Sequence, residues 1–236
     1  MSVIYLVRHG QASFGSDNYD RLSATGVRQA RIVARRFENL GLAFDAVYCG
    51  TLERQVQTAQ ELIDRYEERG RPVPRLALAE AFDEYDSQAV WKAQIPLMLA
   101  QEPALAEDLA RVRTDRKAFQ RLFEGVMRRW VSGSYDPPGV CRWQDFTRRV
   151  RQGLETVMEK HGARKQVVIF TSGGPISVAI QQTLGLSDAK TIEISWQVMN
   201  ASITRFKYNA GRMALAGFND VNHLELEQDQ ALLTYR

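Results

Sequence analysis

A short apolar run, Val3-Ile4-Tyr5-Leu6-Val7, passes directly into Arg8-His9-Gly10, and this junction limits what the chain can become. The run is brief, rich in β-branched residues and free of polar alternation, so it reads as a buried strand. In open α/β sheets, ligands bind beyond the carboxyl ends of such strands. The junction therefore predicts a fixed cation, Arg8, and a titratable nucleophile, His9, at a ligand-binding edge.

The remaining patterns predict an α/β fold: a three-layer, doubly wound, mostly parallel sheet carrying a helical insertion. Val27, Ala30, Ala34 and Phe37 recur at helical spacing, which predicts a helix over about Thr25 to Leu40. Leu52, Val56, Ala59, Ile63 and Tyr66 mark a second helix, stopped by Gly70-Arg71-Pro72. Between about 86 and 162 strand signals almost vanish. There Phe119, Leu122, Phe123, Val126 and Trp130 form one helical face, and Phe146, Val150, Leu154 and Val157 another. Pro96, Pro103 and Pro137-Pro138 are expected to punctuate those helices. The sheet resumes at Val167-Val168-Ile169-Phe170, a helix follows Gly173-Gly174, and a hairpin is expected around Asn209-Ala210-Gly211. At 236 residues the chain is read as one domain, 1–236, with the insertion at about 86–162.

Several short motifs follow one another in order. Arg8-His9-Gly10 is followed by Leu22-Ser23-Ala24-Thr25-Gly26, then by Gly50-Thr51-Leu52-Glu53-Arg54 with Gln57-Thr58-Ala59. Further on come Thr171-Ser172-Gly173-Gly174-Pro175 and Asn200-Ala201-Ser202. In this order they resemble the histidine phosphatase superfamily, phosphoglycerate-mutase-like branch, over roughly Val3 to Phe218. Two positions depart from the family pattern. Gly50 stands where a Ser is usual, and Ser172 stands where a second catalytic His is usual.

The resemblance implies a metal-independent phosphomonoester hydrolase that works through a phosphohistidine on His9. A neutral imidazole can attack phosphorus and so split hydrolysis into two easier steps. Arg8 and Arg54 would supply permanently charged forks for the phosphoryl oxygens, with Ser172 and Gly173 completing the anion site. Glu84 is the expected proton donor to the leaving group, with Glu80 as runner-up. A carboxyl in that role must be protonated when the bond breaks, and burial favours this. Gln11 and Ser23 are candidate substrate contacts, and Asn18 a weaker one. Replacing Ser172 with His should restore the usual donor if the pocket has room. The alternatives are a catalytically weakened phospho-ligand or protein-binding module, or a phosphoglycerate mutase.

The other features narrow the classes further. A formal net charge of +3 gives no argument for nucleic acid or membrane as partner. Cys49 and Cys141 match no redox or metal spacing, and no His or carboxylate cluster suggests metal ligation, so neither cofactor nor metal is expected. Reduced thiols and the absence of a leader pattern predict a cytoplasmic protein. The expected partner is a small phosphorylated substrate, with a phosphoprotein as a second class. Eleven basic residues face four acidic ones between Arg111 and Arg151, so the insertion is locally positive. His161 is read as a charge on a helix C-terminus. His223 is read as a surface residue, with folding back to the pocket as the alternative, and Trp91 as a core residue, with the pocket mouth as the alternative.

Overall fold

The computed structural model describes residues 1–13, 18–209 and 211–235. Six strands form one mixed sheet: β1 (Ser2–Arg8), β2 (Ala46–Cys49), β3 (Leu76–Leu78), β4 (Gln166–Thr171), β5 (Ile203–Asn209) and β6 (Arg212–Asp220), in the order β3-β2-β4-β1-β5-β6. The β3–β2, β2–β4 and β4–β1 pairings are parallel, whereas β5 pairs antiparallel with both β1 and β6. The predicted hairpin is thus present as β5–β6; Ala210 at its tip lies outside the described residues.

Alternation along β1 builds the layers. Ile4 and Leu6 join a core with helices α6 (Trp143–His161) and α7 (Gly173–Leu184). Tyr5 and Val7 join a second core with helices α1 (Ala24–Asn39) and α2 (Glu53–Glu68). Successive strand residues point to opposite faces, so an unbroken apolar run is what a strand covered on both sides requires. The helices that follow neighbouring strands β1 and β4, namely α1 and α7, pack on opposite faces. That divergence opens a crevice at the carboxyl ends of β1 and β4, where doubly wound sheets bind ligands.

Two glycines let the chain enter α1 tightly. A Cβ on Gly10 would lie 2.3 Å from the Gly26 carbonyl oxygen, and one on Gly26 would lie 2.1 Å from the Gln11 oxygen. The Ser23 side chain accepts from the Gly26 amide and caps the helix, an interaction that typically stabilises by about 1 kcal/mol.

The insertion contains α3 (Ser87–Gln101), α4 (Leu105–Arg111), α5 (Arg116–Ser132) and then α6. Its last helix packs through Val150, Leu154 and Val157 into the same core as the strands, so the segment ends as part of the outer layer. Pro96 does not end a helix as expected; it lies inside α3. It sits on an exposed face, as does residue 92, so the carbonyl that loses its partner can turn to water. Helices α8 (Asp188–Ser195) and α9 (Asn222–Glu225) complete the elements discussed here. Among the described residues no helix is long and apolar enough to cross a membrane.

Candidate active site

Register brings His9 and Ser172 together. Arg8 pairs with Thr171 across β1 and β4, and the His9 amide donates to the Thr171 oxygen at 2.8 Å, so the next residue on each strand enters the crevice. The His9 main chain is tied down further. Its carbonyl accepts from the Asn200 side chain at 3.2 Å and from the Ala201 amide at 3.2 Å.

The ring of His9 is buried, and both of its nitrogens are engaged. Nδ1 lies 2.6 Å from the Gly10 oxygen, which fits a proton on that nitrogen. Nε2 then carries the lone pair, and it accepts from Arg54 Nε at 3.1 Å. Burial and the cations Arg54 and Arg8 hold the His9 pKa well below the usual value, so the ring is neutral.

Arg54 reaches this position from the first turn of α2. Its Nη1 pairs with the Asp20 carboxylate, whose other oxygen accepts from the Glu53 amide at 2.7 Å. Thr58, one turn on, donates to the Arg54 oxygen at 2.7 Å and accepts from the Gly10 amide at 3.1 Å, joining α2 to the end of β1. Arg8 donates through Nη1 to the Val198 oxygen, while its buried Nε has no hydrogen-bond partner among the described residues. That Nε faces Gly173: a Cβ there would lie 4.0 Å from it. Burial draws the Arg8 pKa down to about 10, which leaves it a cation at neutral pH.

Glu84, not Glu80, lines a cavity with Arg8 and Gly173. Its Oε2 accepts from the Gly174 amide at 3.0 Å, and a Cβ on Gly174 would lie 2.0 Å from Oε1. Gly174 therefore serves the carboxylate, and its amide is not left for an anion. Desolvation raises the Glu84 pKa against the opposing pull of that amide and of Arg54 and Arg8. Glu80 is exposed on a 3₁₀ turn, Glu80–Phe82. The cavity, of about 660 Å³, is lined by Arg8, Glu84, Gly173 and Gly174 and also by Arg116, Phe123 and Trp196.

The other expected residues have these surroundings. The Ser23 hydroxyl donates to Gln11 Oε1 at 2.8 Å as well as capping α1, so it ties Gln11 to the helix. Asn18 bonds Glu53 at 2.9 Å. Trp196 lines the cavity, and Trp91 stacks on Phe119. His161 is not a free charge: its Nε2 lies 2.8 Å from the Tyr48 hydroxyl, and burial and Lys160 lower its pKa. His223 is buried behind the site, with Nε2 2.9 Å from the Ala201 oxygen and its pKa lowered to about 4 by burial.

Ser172 is fully buried, and its hydroxyl accepts from Gln55 Nε2 at 2.8 Å. The Gln55 side chain that meets this hydroxyl is also fully buried. Gln55, Asp20 and Trp196 carried no sequence signal. Thr58 and Asn200 lay inside motifs already noted but had no role attached to them.

Comparison with known proteins agrees with this fold. The profile described as "Histidine phosphatase superfamily (branch 1)" matches residues 4–89 and 85–221. A phosphoserine phosphatase mutant from Entamoeba histolytica, solved with phosphoserine, superposes with a TM-score of 0.65 at 19% identity, covering 95% of this chain and 100% of that one. A phosphoglycerate mutase from Bacillus anthracis str. Sterne gives 0.64 at 15% identity, covering 97% of each chain. A mycobacterial glucosyl-3-phosphoglycerate phosphatase gives 0.60 at 19% identity, covering 92% and 98%. With the profile spanning most of the chain and the fold shared, the protein belongs to the histidine phosphatase superfamily, branch 1.

Proposed function

We propose that this protein hydrolyses phosphomonoesters through a phosphohistidine on His9, without a metal. The observation that carries this reading is the setting of the His9 ring: Nδ1 lies 2.6 Å from the Gly10 oxygen, which fits a proton there, and Nε2 lies 3.1 Å from Arg54 Nε, which fits a lone pair facing the cation. In the first step Nε2 attacks phosphorus and the P–O bond to the alcohol breaks. Arg54 Nε leaves the lone pair for a phosphoryl oxygen, and Arg8 Nε takes another. Catalysis of this kind is largely electrostatic positioning of the three equatorial oxygens. The leaving oxygen takes the proton of Glu84, whose raised pKa favours the protonated carboxyl. In the second step Glu84, now a carboxylate, accepts a proton from the attacking water. The P–N bond breaks, releasing phosphate and neutral His9.

The substrate is a small phosphorylated molecule, taken up by a cavity of about 660 Å³, and the free thiols of Cys49 and Cys141 support a cytoplasmic setting. Relatives of the same fold are named for phosphoserine and glucosyl-3-phosphoglycerate, which supports a phosphatase over a binding module. The test is turnover of a chromogenic aryl phosphate with and without EDTA, using His9→Ala as control. Turnover that survives EDTA and vanishes in the variant supports the reading. Turnover abolished by EDTA, or kept by the variant, rejects it.

A further inference from the structure

We propose that Gln55 is a positioning residue for phosphoryl transfer: it holds the Ser172 hydroxyl as the donor that takes the place of the family's second histidine. The proposal rests on the phosphatase reading above.

Gln55 follows Arg54 on the first turn of α2 and is fully buried. Its Nε2 donates to two oxygens, Ser172 Oγ at 2.8 Å and the Phe82 carbonyl at 3.1 Å. Both amide hydrogens are thereby used, and the plane of the amide is fixed. Ser172 occupies the N-cap position of α7, where a serine normally accepts from its own helix, yet its side chain makes no capping bond. Its oxygen is turned to Gln55 instead. A hydroxyl that accepts from an amide keeps its own proton to give. Ser172 lies beside His9 at the strand ends and directly before Gly173, which faces Arg8 Nε. A phosphoryl group held by Arg8 and attacked by His9 is the acceptor for that proton. The pair donates a hydrogen bond and transfers nothing.

Gln55 also unites the two departures from the family pattern. Its Oε1 is buried with no hydrogen-bond partner among the described residues and is wedged against Gly50. A Cβ at position 50 would lie 2.0 Å from that oxygen and 2.5 Å from Asp83 Oδ1. A serine at 50 would need the space that this side chain fills, and the same side chain holds the Ser172 hydroxyl. Gly50, Gln55 and Ser172 therefore form a single alternative packing of the site. Its donor is neutral and does not titrate.

The test uses the full chain with p-nitrophenyl phosphate, measuring kcat and KM from pH 5 to 9. The variants are Gln55→Met, which keeps volume but no donor, Gln55→Ala, Ser172→Ala, Ser172→His and the pairs. Gln55→Met should lower kcat at least tenfold with little change in KM, since removing one transition-state donor typically costs about a hundredfold or more. Gln55→Met with Ser172→Ala should lose no more than Ser172→Ala alone, as expected of coupled groups. Ser172→His should be poorly active because its ring meets Gln55. Adding Gln55→Ala should recover activity at least tenfold and bring a new ionisation into the kcat profile. An unchanged kcat in Gln55→Met, losses that multiply, or no recovery in the Gln55→Ala/Ser172→His pair overturns the proposal. If His9→Ala is dead while Gln55→Met keeps the parental kcat, only the role of Gln55 falls. If His9→Ala keeps the rate, the phosphatase reading falls.

Discussion

Arg54 Nε donates to His9 Nε2 at 3.1 Å, so the lone pair proposed to attack phosphorus is occupied by the cation proposed to bind the phosphoryl oxygens. In the free protein this keeps the ring unprotonated. On binding, the substrate must draw the guanidinium off the ring, which uncovers the nucleophile and places the cation together.

Arg54→Ala should therefore have two effects at once. It should lose about 3 kcal/mol of transition-state stabilisation, on the order of a hundredfold in kcat/KM. It should also raise the His9 pKa, because one of the cations depressing it is gone. The acid limb of the pH–rate profile then moves to higher pH, and an imidazole NMR titration would locate the same shift. A loss of rate with an unmoved acid limb would mean that Arg54 does not touch His9 in solution.

Glu84 should set the alkaline limb. Its pKa is raised by burial, so the proposed acid form extends above the usual carboxylate range and is lost as pH climbs through the raised value. Glu84→Gln should slow alkyl phosphates far more than activated aryl phosphates, and should abolish the alkaline limb on the alkyl substrates. Equal losses on both classes would count against proton donation.

Much of this was legible because strands and helices advertise their buried faces. The Val3–Val7 run and the helical faces of α1, α2 and α6 follow from local pattern, whereas the close approach of Gly10 to Gly26 appears only in the fold. Gly50 and Ser172 could be read as departures, but what links them could not. Gln55 is an ordinary helix residue until the fold brings β4 against α2. The same limit applies to the histidines. Nothing in the sequence pointed His161 to Tyr48, and for His223 the fold takes the less favoured of two readings, turning it back behind Ala201. Pro96 misled because its effect depends on whether the freed carbonyl can reach water.

His223 should make the fold acid-sensitive. Its pKa is lowered to about 4 by burial, against about 6.5 in an unfolded chain. The unfolded state therefore binds the proton first. Stability is full above about pH 6.5 and falls as pH drops toward 4, by up to about 3 kcal/mol. His223→Gln can still donate to the Ala201 oxygen without titrating. Urea midpoints at pH 7 and 4.5 should differ less in this variant than in the parent; equal differences would place the acid sensitivity elsewhere.

The basic insertion divides into paired and unpaired cations. Arg121 is held by Asp108 through Nε at 2.8 Å and Nη2 at 2.6 Å, while Arg116 lines the cavity and makes no ion pair among the described residues. Arg116→Glu should thus flatten the salt dependence of kcat/KM for a multiply charged phosphate, and Arg121→Glu should change it little. Screening sets in beyond about 8 Å at physiological ionic strength, so the comparison needs low and moderate salt. Identical salt slopes in the two variants would mean that the field of the insertion acts as a whole and not through Arg116.

The central claim is covalent, and rapid-quench labelling tests it most directly. Mixing the enzyme with a ³²P-labelled phosphomonoester and quenching in base within the first turnover should trap an acid-labile, base-stable label. Peptide mapping should place that label on His9, and His9→Ala should carry none. A fully active enzyme that traps no label, or a label that survives in His9→Ala, would contradict the phosphohistidine account.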